Sequence, residues 1–583
     1  MQYDTLVHML EESCRKFKDR ELFGTKRDGE WHWITYGEFH KLVQACAAGL
    51  AHLGVAPGDR VAIVSDNSVE WATCAHATYA RGACFVPMYT AQKPDEWKFI
   101  LKDCDAKLVF AATEKQYQPL KAAMAEIPSL RQVIGISLPE QHEDSYLRLL
   151  SRGQAEPVPN VFPEPSDTAA FIYTSGTTGQ PKGVKLSHSN FCSNLAAVEE
   201  VLPLKRERSL AFLPWAHSFG HTAELMYFTH RGFAMAINDD VNQIVANLAE
   251  VRPTALVAVP RIFNRIYENV HRQMKAKPGI IQALFRQGLR VASAASKGAS
   301  LSLSERVVLK LADKLIFSKV RARFGGRLRV VISGSAALNP EVAEFVDALG
   351  IPFFEGYGLT ETTPVVSCNY EGNRRLGSVG KPLPGVRVVI DESLGSQPGE
   401  GEIVVYGPNV MQGYHNRPED NAAIFTADGG LRTGDLGRLD ADGYLFITGR
   451  IKELYKLETG KYVAPAPLEE ELKVSPFINN VVLYGANRPH NVALVVPNQA
   501  ALEEWAKENG VELGDITTNP KVHELLMSEI QARSSKFKSY ERPRALTLVL
   551  EDFTTDNGLL TPKMSVKRRE VLARYEDRLR ALY

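Results

Sequence analysis

The stretch Tyr173-Thr-Ser-Gly-Thr-Thr-Gly-Gln-Pro-Lys-Gly-Val184 constrains the fold of this chain more than any other. It follows an apolar run, residues 168–173, and precedes a shorter one, residues 184–186, before a helix expected to be capped at Ser189. Four hydroxyl residues (Thr174, Ser175, Thr177, Thr178) and three glycines (Gly176, Gly179, Gly183) fall in the ten residues that also hold Lys182. A backbone punctuated this way can turn its N–H groups onto anionic oxygens, so the loop suits a polyphosphate. It is not a Walker-type loop, because that pattern needs Gly where Pro181 stands five residues after Gly176. The chain must therefore hang this loop between strands of a sheet.

Short apolar runs recur at residues 60–64, 106–111, 209–213, 255–259 and 328–333, alternating with longer amphipathic stretches and bounded by turn residues. Buried strands have this texture, which predicts a layered α/β fold. From about residue 376 the pattern shifts to short strands between Gly and Pro turns, as at 401–407 and 443–449, and predicts a β-rich subdomain. At 583 residues the chain exceeds what one core organises. We read residues 1–449 as a large domain, 450–453 as a hinge and 454–583 as a small, mobile C-terminal α+β domain, with a helix-like run at 468–474 and a strand at 480–484.

Lys plus Arg and Asp plus Glu each number 68, which removes the basic excess expected of a nucleic-acid binder. The seven cysteines are scattered, with no C-x-x-C pair, and fit a reducing cytoplasm better than a disulfide framework. The N-terminus reads as a charged amphipathic helix, not a signal peptide, and no apolar run reaches the roughly eighteen residues that cross a bilayer. Residues 272–329 are rich in Lys and Arg, with only Glu305 and Asp313 as acids. Such a segment either rests on the cytoplasmic face of an anionic membrane or is a helical insertion with its apolar stripe on the core.

On the Tyr173 string the sequence resembles the adenylate-forming superfamily of acyl-CoA synthetases, peptide-synthetase adenylation domains and luciferases, and further signatures follow in order. The resemblance gives Thr174, Ser175, Gly176, Thr177, Thr178, Gly179 and Lys182 to the ATP phosphates. Leu213-Pro-Trp-Ala-His217 resembles the family's L-P-x-x-H element, which implies acyl-site roles for Trp215 and His217, and Val259-Pro-Arg-Ile-Phe263 resembles an element flanking the acyl channel of long-chain members, which implies Val259. His221 and Glu224 lie close to His217, but the H-E-x-x-H zinc pattern is absent. Ser333-Gly-Ser-Ala336 and Glu355-Gly-Tyr-Gly-Leu-Thr-Glu361 each leave an apolar strand, where open α/β sheets gather ligands. By resemblance Gly334, Ser335, Ala336, Gly356, Tyr357, Gly358 and Thr360 surround the nucleotide, Gly334 and Gly358 also border the acyl chain, and Glu361 with Thr177 holds Mg²⁺. Arg432-Thr-Gly-Asp-Leu436 resembles the T-G-D signature, which implies that Asp435 accepts the ribose hydroxyls with Arg450 beside it, and Lys452 falls on the hinge residue.

Near the C-terminus, Asn557-Gly-Leu-Leu-Thr-Pro-Lys-Met-Ser-Val-Lys-Arg568 resembles the tail of long-chain members, but the family's adenylating lysine falls on Ser565. Charge builds at the α-phosphate as carboxylate attacks, and a nearby cation lowers that barrier. Lys567, or Lys563 on the same face of an extended strand, can supply it. The resemblance implies ATP- and Mg²⁺-dependent activation of a long-chain fatty acid to acyl-AMP, followed by transfer to coenzyme A. A fatty acyl-AMP ligase serving a carrier protein is the alternative, and the serine leaves open an impaired acyl or nucleotide sensor. Oligomeric state is not legible.

Overall fold

The protein is described by a computed structural model covering residues 3–175, 180–296, 298–334, 338–394, 398–561 and 565–583. Its largest sheet has seven strands in the order Gly413–Tyr414, Pro181–Ser187, Thr168–Ser175, Cys84–Met88, Arg60–Val64, Ala106–Ala111 and Gln132–Gly135. The last four run parallel to one another, and Thr168–Ser175 joins them in parallel before turning back as an antiparallel hairpin. Strands such as Arg60–Val64 and Ala106–Ala111 are almost wholly buried, as continuous aliphatic runs require when helices cover both faces.

A second sheet is built on Ala255–Ala258, Val330–Ser333 and Phe353–Gly358, which are mutually parallel. A third, antiparallel sheet of Arg387–Asp391, Gly401–Tyr406, Leu431–Leu439 and Leu445–Arg450 forms the β-rich subdomain. The C-terminal part is α+β: strands Ile478–Tyr484, Asn491–Pro497 and Pro543–Leu548 pack between helices Pro465–Leu472, Pro520–Ser534 and Arg568–Arg580. Among the described residues no helix is long and apolar enough to cross a membrane.

Two local readings change. The helix after the phosphate hairpin is His188–Val201, capped by Ser187 in a reciprocal box with Asn190, two residues earlier than the expected cap at Ser189. The segment around Tyr357, expected to have left its strand, is still paired, Tyr357 with Ser367, and Asp435 also lies in a strand, opposite Arg450. Near the C-terminus Thr561 N donates to Ser565 O at 2.8 Å and Leu560 bridges Val566 antiparallel. Ser565 and Lys567 flank this bridge, and Lys563, the other lysine expected on their face, lies outside the described residues.

Candidate active site

The strands of the hairpin run right up to the phosphate loop, with Thr174 opposite Lys182 and Ser175 opposite Pro181. Pro181 opens its strand, a position where a missing N–H is tolerated. Gly176, Thr177, Thr178 and Gly179, like the Ser175 side chain, Ser335, Ala336 and Lys563, lie outside the described residues. Lys182 is held at the hairpin's base by an ion pair with Asp420 and lies over the Tyr414 ring, 5.3 Å from its centroid. Tyr414 in turn donates its hydroxyl to Glu361 Oε1 at 2.8 Å. Burial and the Glu361 carboxylate push the Tyr414 phenol far up, so it stays a donor. A cation, a carboxylate and a phenol from three distant segments thus meet below the loop.

Asp435 is the buried acid of the opposite wall, with 4% of its surface exposed. Its two carboxyl oxygens have separate partners: the Tyr357 hydroxyl at 2.8 Å and Arg450 Nε at 3.1 Å. Burial raises the carboxyl's pKa while Arg450 and the Tyr357 hydrogen bond oppose that rise. Cross-strand pairing of Asp435 with Arg450 fixes this geometry in the backbone. The neighbouring Gly358 cannot be exchanged, because a Cβ there would stand 1.8 Å from the Pro364 carbonyl oxygen. Thr360 Oγ1 lies 3.1 Å from Ser218 Oγ, which ties the Tyr357 strand to the residue after His217.

Glu355, to which the sequence assigned no role, also faces the site. Burial pushes its carboxyl up to about 7 against the backbone N–H groups of Gly377 and Leu338 and the charge of Arg374.

His217 begins a tight entry in which its N donates to Pro214 O at 3.0 Å and Phe219 N donates to its Nδ1 at 3.0 Å. A π-helix, Phe219–Met226, follows, and Gly220 lets it start against Pro214, whose carbonyl oxygen would lie 2.6 Å from an added Cβ. Trp215 is the one acyl-site candidate that the structure moves away. Its side chain is fully buried, with its ring 5.8 Å from Trp71 and 5.7 Å from Phe23, so it supports the wall from behind. Leu213, Pro214 and His217 of the L-P-x-x-H string line the cleft, and Trp215 between them does not. His221 likewise turns into the core, where Nε2 lies 3.0 Å from the Tyr79 hydroxyl.

Glu224 on the same π-helix is fully buried, accepts from Ser209 Oγ at 3.0 Å, and is pushed by burial up to about 8. In the unfolded chain the carboxyl ionises near its ordinary 4.5, while in the folded protein it keeps its proton to about 8. Its contribution to stability is therefore full below about 4.5 and is lost as pH rises through about 8. Thermal melts across that window should show Glu224→Gln gaining on wild type as pH rises, and a constant difference would contradict the protonated assignment.

All these walls enclose one cleft of ≈ 2520 Å³. Thr174, Lys182, His217, Val259, Gly334, Gly356, Tyr357, Gly358, Thr360, Glu361, Asp435, Arg450 and Lys452 line it. Part of its lining is apolar, with Phe219, Leu248, Ile262, Val320 and Phe324 among the residues there. The C-terminal part completes it with Ser565 and Lys567. Lys567 N donates to Leu559 O at 2.8 Å, and the next residue, Arg568, is paired with Glu469, so the backbone carrying Lys567 is pinned. The two parts are joined by polar contacts that the sequence did not reveal: Asn339 Nδ2 donates to Glu471 Oε2 at 2.7 Å, and Arg533, itself 3.9 Å from Glu471 in the C-terminal part, reaches Glu341 at 3.6 Å.

A small C-terminal domain that shares with the large one a cleft lined by Thr174 and Lys182 of the hairpin and by a Tyr–Asp–Arg cluster is the arrangement of a two-domain nucleotide-using enzyme. The chain belongs to the AMP-binding enzyme family: residues 10–415 match the family's main domain and residues 453–583 its C-terminal domain.

It is 32% identical to the long-chain-fatty-acid–CoA ligase FadD15 of Mycobacterium tuberculosis over 100% of this chain and 97% of that protein. Identity to the peroxisomal long chain acyl-CoA synthetase 6 of Arabidopsis thaliana is 33%, covering 99% of this chain and 86% of the relative. The human long-chain-fatty-acid–CoA ligase 1 is 30% identical over 96% of this chain and 84% of its own length. Among solved structures, the adenylation domain of a Mycobacterium chelonae carboxylate reductase superposes with a TM-score of 0.81 at 24% identity, covering 99% of this chain and 91% of that one. An anthranilate CoA ligase bound to anthranoyl-AMP superposes with a TM-score of 0.74 at 20% identity, covering 98% and 97%. These likenesses agree on the fold: a large α/β AMP-binding domain and a smaller C-terminal domain.

Proposed function

We propose that the protein is a long-chain fatty acid–CoA ligase of the AMP-forming type. The fatty carboxylate attacks the α-phosphorus of ATP, the bond to the β-phosphate oxygen breaks and pyrophosphate leaves. The CoA thiol then attacks the acyl carbonyl and AMP leaves. One observation carries this reading: a single cleft joins the Lys182 hairpin and the Tyr357–Asp435–Arg450 cluster to apolar residues such as Leu248, Ile262, Val320 and Phe324. The relatives' names support the choice of acid and acceptor, since those spanning this chain are called ligases or synthetases of long-chain acyl-CoA. A carrier-protein acceptor is not favoured by any of them.

In this reading Lys182 exchanges Asp420 for a phosphate, Asp435 accepts from the ribose, and His217 and Val259 border the acyl group. Glu361 fits a hard divalent cation, since it offers a carboxylate to the cleft while Tyr414 orients one of its oxygens. Glu361, with Thr177, would hold Mg²⁺, which would supply positive charge to the phosphates. Lys567 supplies charge at the α-phosphate in place of Ser565. Lys452 is the hinge about which the small domain moves between the two steps, and the Asn339–Glu471 and Arg533–Glu341 contacts are among those that this motion must break.

The seven buried free thiols support a reducing, cytoplasmic setting. The basic helices support a peripheral place on a membrane face. Mixing enzyme, MgATP and palmitate with CoA or with an acyl carrier protein tests the assignment: AMP release should need CoA. Release driven only by the carrier protein would overturn the choice of acceptor, and pyrophosphate release without any acid dependence would overturn acid activation.

A further inference from the structure

The segment between residues 272 and 329 resolves into helices with two distinct faces. Helix Leu303–Ala312 continues through a π-turn, Asp313–Phe317, into helix Ser318–Ala322. Its inner face is Ala312, Ile316, Phe317 and Val320, all buried. Gly288 of the neighbouring helix fixes that face inward, since an added Cβ there would stand 2.5 Å from Ala312 Cβ. The outer face should be polar on a helix that only covers a core. Instead Leu303, Val307, Leu311 and Leu315, spaced four apart, are 81%, 57%, 47% and 43% exposed.

Beside three of these aliphatic residues stands a cation: Arg306-Val307, Lys310-Leu311 and Lys314-Leu315, each pair exposed. The two acids of the helix are engaged locally, Glu305 in the capping box with Ser302 and Asp313 with Arg321 at 2.7 Å. The repeated pair therefore makes a strip that is both apolar and cationic. A second copy of the chain would set these cations against themselves, whereas an anionic bilayer matches both properties, accepting the aliphatic tips among acyl chains and the cations at phosphate level.

The same helix leads into the cleft. Val320 on its inner face and Phe324 just beyond its end wall the apolar part of the active-site cavity. We infer that the outer strip Leu303–Val307–Leu311–Leu315, with Arg306, Lys310 and Lys314, seats the enzyme on an anionic lipid surface beside the apolar part of its cleft, where a membrane-dissolved acid is taken up. This rests on the proposed long-chain reading only for what the docking delivers; the docking itself is independent of it.

The test is flotation of the purified full chain with phosphatidylglycerol-containing and with pure phosphatidylcholine vesicles, no substrate present. Wild type should float with the anionic vesicles alone and be released by high salt. Arg306→Glu, Lys310→Glu and Lys314→Glu together should weaken binding roughly a hundredfold. Val307→Ser, Leu311→Ser and Leu315→Ser together should weaken it roughly tenfold with the cations intact.

With octanoate in solution all three proteins should turn over equally, whereas with palmitate offered in anionic vesicles both variants should lag wild type. Wild type that does not float, or charge-reversed protein that floats equally, overturns the inference. So does a concentration-dependent dimer that the serine variants abolish, which would assign the strip to a second copy. Wild type that turns over neither octanoate nor palmitate would instead count against the ligase reading and leave the vesicle result to stand by itself.

Discussion

Replacing Asp435 by Ala should lower kcat/KM for ATP by roughly a hundredfold or more while the protein still folds. The carboxylate is buried, and its two oxygens are held apart by Tyr357 at 2.8 Å and Arg450 at 3.1 Å. A ribose diol that donates to it makes two hydrogen bonds to an ionised acceptor, each contributing about 1.5 kcal/mol or more, and about 1.4 kcal/mol is a factor of ten. Asp435→Asn keeps the shape and one acceptor oxygen and should fall between Ala and wild type. Tyr357→Phe removes only the positioning bond, so its effect should be roughly tenfold and confined to KM for ATP. Michaelis curves in ATP at saturating palmitate and CoA check all three. An unchanged KM in Asp435→Ala would remove the carboxylate from the nucleotide site.

The second large effect should separate the half-reactions. Lys567→Ala should cut acid-dependent pyrophosphate release by roughly a hundred- to a thousandfold, the usual cost of deleting a charge aimed at a developing negative oxygen. Thioester formation from supplied acyl-AMP and CoA should change little. Lys567 lines the cleft, and the pairing of Arg568 with Glu469 holds the adjacent backbone in place. If Lys563→Ala carries the loss instead, the cation comes from the residue two places before Ser565. If both variants release pyrophosphate at the wild-type rate, neither lysine replaces the one the family has at Ser565.

The strands at 60–64 and 106–111 could be read from the sequence residue for residue, because strands buried on both faces are uninterrupted aliphatic runs. Lys182, Glu361 and Asp435 lie in strings where residue type is restricted over several consecutive positions, and the structure brings the three to one cleft. Tyr414, Asp420 and Glu471 were not legible, since each is a lone side chain brought in by tertiary contact with no local pattern to announce it. Trp215 was misplaced for a related reason: a linear string names neighbours but not which of them faces the cavity. The basic segment left two readings open, core-facing insertion and membrane contact. The helix buries one apolar stripe and exposes another, so the sequence carried two apolar periodicities that were counted as one.

The central claim is that one cleft couples adenylation of a long acid to CoA transfer. It is tested most directly by offering acids of graded chain length to the wild-type enzyme with MgATP and CoA and measuring pyrophosphate and acyl-CoA in the same tube. Both products should appear in equal amounts and rise together toward long chains, as the apolar part of the cleft fills. Pyrophosphate without acyl-CoA, or a preference for short or aromatic acids, would contradict it.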